Sequence, residues 1–280
     1  MVEEYTPDAI IEHVHAMNFS ADKKAASNYL EAFQKTPHAW SLSDALLHAN
    51  HSREVSYFAA NTLRIKIQNS YLELPADSHE PFKSSLLSHL VNYTAAGYPE
   101  ILVQLAVAVA DLAVYMSEWH NPASELMSIL AAHAVTLLDV LIALPEEIYN
   151  KSLKIDELRK KEFKQELSAD SIVVFQFCEA ALQSSTDVSI HVKTLKCLSS
   201  FLHFAGAGGG THFGSSFLLP VCFHALASDE LAEFAGECIC EAIYLSTMES
   251  NRATLRPIIV TQVIESVSYT HLTLPTIYSV

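Results

Sequence analysis

Glycine and proline are scarce in this sequence, at 7 and 10 of 280 residues. An all-β fold needs frequent tight turns, which draw on both residue types, so their scarcity disfavours that class. Half of the residues are hydrophobic, which is enough for a sizeable core. The length allows one or two globular domains, or a single array of repeats.

Cations are also few, since 17 Lys and Arg stand against 32 Asp and Glu, and the formal net charge is −15. Binding to nucleic acid asks for clustered cations, so the sequence predicts no direct nucleic-acid partner. An acidic surface complements a basic face on a protein partner. The same charge can also serve solubility alone, and composition leaves both interpretations open.

Cysteine is present in an odd number, and the N-terminal segment MVEEYTPDAIIEHV lacks a basic region followed by an apolar region. These features predict reduced, buried thiols and no secretory signal, as in a cytosolic or nuclear protein. The five cysteines are Cys178, Cys197, Cys222, Cys238 and Cys240.

The longest apolar run is Ile101–Trp119, and it contains Gln104 and Asp111. A membrane-spanning helix needs about 20 mostly apolar residues, and an acid near the bilayer centre costs roughly 2.5–3.5 kcal/mol. The run therefore predicts a helix buried between neighbouring helices of a soluble array, with no membrane anchor. Its apolar face has helical spacing and consists of Ile101, Leu105, Val109, Leu112 and Met116.

Helical segments joined by short polar links follow one another along the chain. Thr6, Pro7 and Asp8 form a helix start signal, and Asp77 with Glu80 forms a capping-box pattern. Every second helix lies roughly 35–50 residues from the last, the range of HEAT and armadillo repeats. The sequence thus predicts an all-α fold, a HEAT-repeat superhelical solenoid of about six helix pairs over residues 1–266.

Finer features of these segments are also predicted. Arg64 and Lys66 should face solvent, and a helix should end at Pro145. The segment Ala205–Gly214 should be a flexible loop, and Asn18–Ala21 a break between helices. The tail Val267–Val280 is rich in β-branched residues and resembles sequence from outside the rest of the chain, so we exclude it from the predicted array.

Several motifs, in their order along the chain, resemble the N-terminal region of the importin-β (karyopherin) superfamily of nuclear transport receptors. The resemblance covers roughly Thr6 to Glu265, and such receptors are much longer than this chain. The motifs are His38-Ala39-Trp40, Tyr57-Phe58-Ala59-Ala60, Lys66-Ile67-Gln68, Glu73-Leu74-Pro75, Gln104-Leu105-Ala106, Ala110-Asp111-Leu112-Ala113, Leu144-Pro145-Glu146-Glu147, Lys196-Cys197-Leu198 and Cys238-Ile239-Cys240.

The resemblance implies a nuclear import receptor that shuttles between cytoplasm and nucleus and contacts nucleoporins. Its expected partners are the small GTPase Ran in its GTP form and serine/arginine-rich splicing factors as cargo. The cargo is expected mainly on the C-terminal part of such a receptor. Ran-GTP and cargo oppose each other's binding, and linkage makes that opposition reciprocal.

By the same resemblance, Ran-facing residues should lie on the second helix of each early pair, at about residues 38–49, 78–94 and 121–132. Polar positions there that helical phase does not commit to the core are the candidates, although each is equally compatible with an ordinary solvated residue. A generic HEAT-repeat scaffold without Ran binding remains the alternative function. The candidate Ran-facing residues are Asp44, His48, Ser85, His89 and Asn92.

The histidine and cysteine motifs that could indicate a metal site are weak. His13 and His15 are two residues apart, on opposite sides of a helix, whereas a shared metal asks for i, i+4 spacing. Cys238 and Cys240 lack the two-residue separation of zinc and redox pairs. The sequence therefore predicts no metal site.

Two further segments carry the letters of catalytic or phosphate-binding motifs. Asp77-Ser78-His79 is contiguous, but a catalytic triad is assembled from distant segments. Gly206–Thr211 lacks the Gly-Lys-Ser/Thr ending of a phosphate-binding loop and follows a helix rather than a strand. We therefore expect a binding protein, with neither enzymatic activity nor a cofactor.

Overall fold

The computed structural model describes residues 5–19 and 23–273, and over these residues the chain forms fifteen α-helices and no β-strand. This confirms the all-α fold class. The helices are α1 (Pro7–Phe19), α2 (Lys23–Gln34), α3 (His38–His48), α4 (Arg53–Ser70), α5 (His79–Ala96), α6 (Pro99–Tyr115), α7 (Pro122–Ile129), α8 (Ala134–Glu147), α9 (Glu157–Ser184), α10 (Val188–Leu202), α11 (Ala207–Ser215), α12 (Leu218–Ala225), α13 (Ala232–Thr247), α14 (Glu249–Arg252) and α15 (Leu255–Thr273).

The helices belong to two compact units. Unit 1 contains Met1–His120 and Leu130–Lys161, and unit 2 contains Asn121–Ile129 and Glu162–Val280. In unit 1, consecutive helices pack as the pairs α1–α2, α3–α4 and α5–α6. Helix α4 also packs on α6, α6 on α8, and α3 on α5, so successive pairs stack as in HEAT repeats.

Helix α6 is the centre of the unit 1 core, as its apolar pattern predicts. Its face from Ile101 to Met116 is buried, and Asp111 is fully buried with it. Neighbouring helices α4, α5 and α8 cover it. Among the described residues, no helix is both long enough and apolar enough to cross a membrane.

Local signals explain where some helices begin and end. The Thr6 hydroxyl accepts a hydrogen bond from the Ala9 backbone N–H at 3.3 Å, and α1 begins at Pro7 as predicted. Gly97 ends α5 in the left-handed conformation, with φ 75°, a geometry that glycine adopts without steric cost.

The predicted capping box at Asp77 and Glu80 is wrong. A short 3-10 turn, Ala76–Ser78, precedes α5, and neither it nor α5 has a side-chain cap. The Glu80 carboxylate instead lies 3.0 Å from the Lys83 ammonium within α5. The pattern fails because the turn places Asp77 outside the capping position.

The predicted exposure of Lys66 is also wrong, because its side chain is only 1% exposed. Its ammonium lies 2.7 Å from the Glu73 carboxylate and 5.4 Å from the centre of the Trp40 ring. Pairing with an anion and an aromatic face makes the burial of a lysine tolerable. Arg64 is half-buried rather than exposed.

Proline 145 does not end its helix, since α8 continues to Glu147 with Pro145 buried inside it. Proline removes one backbone hydrogen bond from a helix. Here the loss falls in the last turn, where the packing of α8 against α6 holds the helix in place.

The glycine-rich segment predicted as a flexible loop is mostly helical, because α11 spans Ala207–Ser215. A Cβ at Gly209 would lie 2.5 Å from the Ser171 hydroxyl oxygen, and one at Gly210 would lie 2.9 Å from the Asn251 side-chain oxygen. These glycines therefore allow α11 to approach α9 and α14 closely. Sequence alone could not distinguish that role from flexibility.

In unit 2, α10 and α12 pack on α13, and α15 packs on α11, α12 and α13. Four cysteines are buried as predicted, but Cys240 is exposed on α13. Helix α15 reaches Thr273, beyond the end at about Glu265 that the sequence suggests. Residues 274–280 of the excluded tail lie outside the described residues. Of the break predicted at Asn18–Ala21, residues 18 and 19 belong to α1 instead, and residues 20 and 21 lie outside the described residues.

Candidate functional site

Helices α3 and α5 hold the candidate residues and match the residue ranges of the first two predicted Ran-facing helices. Their predicted place as the second helix of each pair is wrong, because α3 pairs with α4 and α5 with α6, so each is the first helix of its pair. Both bury an apolar face, with Leu46 and Leu47 on α3 and Leu86 and Leu90 on α5. The third predicted helix corresponds to α7, Pro122–Ile129, in unit 2.

Four of the five candidate residues meet in one group, here called the α3–α5 cluster: Asp44, His48, Ser85 and His89. The fifth, Asn92, does not join it. Its exposed side chain faces the Ser88 hydroxyl at 3.5 Å, one turn away on α5.

Asp44 is the centre of the α3–α5 cluster. Ser85 Oγ donates a hydrogen bond to Asp44 Oδ1 at 2.6 Å, and His89 Nε2 lies 2.8 Å from the same oxygen. An ionised carboxylate can only accept, so Nε2 carries the proton that His89 donates. His89 is fully buried.

His48 forms the accessible side of the cluster, with a side chain 51% exposed. Its Nε2 lies 3.2 Å from Ser85 Oγ and 3.7 Å from Asp44 Oδ2. The rings of His48 and His89 are 4.3 Å apart, centre to centre, and inclined by 54°. Two imidazoles thus flank one carboxylate.

The pKa of Asp44 lies below its usual value. Burial raises this pKa, but the hydrogen bonds from His89 and Ser85 and the charge interactions with both histidines outweigh burial. The carboxylate therefore carries its negative charge at neutral pH, at a position that His48 leaves partly open to solvent.

The cluster contains serine, histidine and aspartate, but its geometry does not fit a catalytic triad. In a triad, the two histidine nitrogens contact different partners, one the aspartate and one the serine. Here the same His89 Nε2 faces Asp44 at 2.8 Å and Ser85 at 3.4 Å. His48 repeats this arrangement, because its Nε2 faces Ser85 at 3.2 Å and Asp44 at 3.7 Å. Neither histidine therefore joins the serine to the aspartate through its two different nitrogens.

The helical phase of α3 and α5 predicts each of these residues separately, but not the contacts between them. A usable signal was present, because Asp44 and His89 are 45 residues apart. That separation lies in the roughly 35–50 residue range of the repeat, so it places both residues at similar positions in successive repeats.

Two grooves lie away from the α3–α5 cluster. One, of about 660 Å³, lies among α1, α2 and α4 and includes Leu30, Tyr57 and Phe58. The other, of about 530 Å³, lies along α13 and α15 and includes Ile243 and Val260. Neither groove contains a candidate residue.

Two protein families match this chain. The importin-beta N-terminal domain matches residues 26–92, which include α3 and most of α5, and the exportin 1-like protein family matches residues 99–239. The second match covers half of the chain.

Curated relatives match over most of this chain but over a small part of their own length. Importin-13 of Homo sapiens is 27% identical over 255 residues, which are 86% of this chain and 26% of the relative. Transportin MOS14 of Arabidopsis thaliana is 27% identical over 255 residues, 87% and 26% of the two chains. The mRNA transport regulator MTR10 of Saccharomyces cerevisiae is 34% identical over 194 residues, 64% and 19% of the two. The chain thus spans about a quarter of the length of most of these relatives.

Proposed function

Because this chain belongs to the importin-β (karyopherin) superfamily, we propose that it binds Ran-GTP through the α3–α5 cluster as the N-terminal region of a nuclear import receptor. Receptors of this superfamily carry cargo through the nuclear pore, contact nucleoporins and shuttle between cytoplasm and nucleus. The observation that supports the proposal is the position of the cluster within the matched importin-beta N-terminal domain.

Electrostatics supports a protein partner at this surface. The chain carries a formal charge of −15, and Asp44 keeps its negative charge beside the half-exposed His48. A basic face on the partner would be attracted over a distance and oriented before contact.

For the cargo, we propose serine/arginine-rich splicing factors. Within the superfamily, the order of the sequence motifs resembles transportin-3 and importin-13. Importin-13 and Transportin MOS14 are among the relatives found. The cargo would bind mainly to the C-terminal part of the receptor, so the role proposed for this chain is mainly Ran-GTP binding.

The deciding experiment is titration of the chain with Ran-GTP and with Ran-GDP at near-physiological salt. We expect binding that is selective for the GTP form. His48→Ala should weaken it, since His48 is the exposed member of the cluster. His38→Ala removes an exposed histidine at the start of the same helix and should leave binding unchanged.

Equal binding of both nucleotide forms, or none, by a well-folded sample would contradict the proposal. The chain would then be a HEAT-repeat interaction scaffold with a different partner. GTP-selective binding that His48→Ala leaves unchanged would keep the function and move the contact surface away from the α3–α5 cluster.

A further inference from the structure

The α3–α5 cluster also contains three side chains of types that bind metal ions. We propose that Asp44, His48 and His89 form a binding site for a zinc-class divalent cation, with one ligand atom from each residue. The three atoms all lie within 4.8 Å of one another. This inference goes beyond Ran binding and does not depend on it.

The distances in the cluster are close to those that a tetrahedral ion requires. With Zn–N and Zn–O bonds of about 2.0–2.2 Å, tetrahedral ligand atoms stand about 3.3–3.6 Å apart. His48 Nε2 lies 3.7 Å from Asp44 Oδ2, and His89 Nε2 lies 2.8 Å from Asp44 Oδ1. These two distances involve different oxygens of Asp44. With one atom from each residue, all separations lie within 4.8 Å, so side-chain shifts of roughly 1–1.5 Å would bring the three atoms to tetrahedral separations.

The ligand types favour one class of ion. Two imidazoles and a carboxylate suit Zn²⁺, Co²⁺ or Ni²⁺, whereas Ca²⁺ and Mg²⁺ prefer oxygen ligands alone. Three protein ligands leave a fourth tetrahedral position, which water or a group of a partner protein can take. The half-exposed His48 leaves that position open to solvent.

Surrounding residues already orient the ligands. Ser85 donates to Asp44 at 2.6 Å and so holds the carboxylate between the two rings, the role of an outer-sphere hydrogen bond. Burial holds the His89 ring in place. An ion on His89 Nε2 would move the imidazole proton to Nδ1, which has no hydrogen-bond partner among the described residues. That cost predicts moderate rather than extreme affinity.

The spacing of metal-binding residue types within single helices predicted no metal site. Here two ligands come from α3 and one from α5. Asp44 and His48 have the i, i+4 spacing that places both on one helix face, and the stacking of α5 on α3 supplies the third.

The cysteines of unit 2 are the competing ligands for zinc, and the test must separate them. Four of them are buried and one is exposed. Thiolate ligands bind at about 2.3 Å, and imidazole ligands at about 2.0–2.1 Å, so X-ray absorption of the zinc-loaded protein distinguishes the two sites.

The experiment uses the full chain, stripped with chelator and titrated with ZnCl₂ by calorimetry. We expect one equivalent to bind, with His48→Ala lowering the affinity at least tenfold and His38→Ala leaving it unchanged. Asp44→Asn keeps the side-chain shape and should lower the affinity as well. Circular dichroism of each variant confirms that the helices remain folded.

X-ray absorption should show nitrogen and oxygen neighbours only. Sulfur in the zinc shell, or equal affinity of wild type and His48→Ala, would overturn the proposal. Because no Ran is present in this titration, its outcome is independent of the Ran-GTP experiment.

Discussion

At the scale of single residues, Asp111 is the most unusual group of the described chain. It is fully buried on α6, where Gln68 donates to its Oδ2 at 2.9 Å. Burial, together with the hydrogen bond and charge of neighbouring Glu147, raises its pKa to about 9. The folded protein therefore holds a protonated Asp111 at neutral pH.

This raised pKa predicts that Asp111→Asn stabilises the protein at neutral pH. The unfolded carboxyl titrates near pH 4, so between pH 4 and pH 9 the folded state binds more protons than the unfolded state. Stability of the wild type then falls as pH rises through this window. An amide can accept from Gln68 and donate to Glu147 without taking up a proton. We expect a gain of about 2–4 kcal/mol near pH 7.

The pH dependence identifies the cause. The gain from Asp111→Asn, measured by urea unfolding, should shrink towards zero as the pH falls to about 3, where both states of the wild type are protonated. Asp77→Asn changes an exposed aspartate and should have little effect at any pH. A gain from Asp111→Asn that is constant from pH 4 to pH 8 would contradict the assignment.

Residue environments of this kind were only partly predictable. The apolar face of α6 predicted burial and identified Asp111 as a charge in an apolar run. Its protonation depends on Glu147, which α8 brings close, and local periodicity carries no information on such a partner. Lys66 was assigned to the wrong side for the same reason, because its aromatic partner Trp40 comes from another helix.

At the scale of elements, the glycines of α11 predict opposite effects at adjacent positions. Gly209→Ala would place a Cβ 2.5 Å from the Ser171 hydroxyl oxygen, and the overpacking should cost about 1–3 kcal/mol. Gly208 is exposed, and its Cβ would meet only Ile172 at 3.5 Å. Gly208→Ala should therefore stabilise α11 by up to about 1 kcal/mol. Thermal unfolding of both variants tests the pair, and a lower Tm for both would show that α11 is not helical in solution.

Helix α6 ends on a buried arginine from α9. Arg159 donates to the backbone carbonyls of Val114 at 2.9 Å, Ala113 at 3.0 Å and Met116 at 3.2 Å. A guanidinium serves three carbonyls in a fixed fork, which a lysine ammonium cannot reproduce. We expect Arg159→Lys to destabilise the protein by roughly 2–4 kcal/mol. Exposed Lys161, changed to Ala, is the control in the same denaturation series, and an equal loss from both would contradict this role.

The presence of helices was more predictable from the sequence than their ends and their packing contacts. Apolar spacing predicted α6 and the repeat pattern, because each depends on residues within the helix. The predicted end of α8 and the predicted loop at α11 were wrong. The environments of Pro145 and Gly209 depend on packing against neighbouring helices, which local sequence does not show. The α3–α5 cluster was predictable in part. Helical phase indicated its residues as candidates, but their contacts depend on the stacking of α5 on α3.

At the scale of the whole molecule, the net charge of −15 predicts the kinetics of association with a basic partner. Raising NaCl from about 50 to about 300 mM shortens the range of charge attraction and should lower the association rate constant roughly tenfold. The dissociation rate should change much less. Surface plasmon resonance with Ran-GTP separates the two rates, and a salt effect confined to dissociation would contradict long-range attraction.

The repeat spacing was enough to predict the architecture of the described chain, because each helix pair needs a neighbour to cover its apolar face. The repeat spacing did not predict that the chain divides into two compact units. Residues 121–129 and 130–161 are adjacent in the chain but belong to different units, and no break in composition indicates this.

The exposure of Cys240 makes it a ready-made attachment point for a reporter dye. Contact between the thiols of Cys178 and Cys197, together with burial, raises the pKa of Cys178, and the Cys222 thiol does the same for Cys238. Maleimides react with thiolate, so one dye molecule should attach to the native fold at Cys240 without any substitution. All five thiols should react once denaturant unfolds the chain. In the intact protein one thiol of five should react fast, so the ratio of fast-reacting to total thiol measures the fraction of chains that are folded.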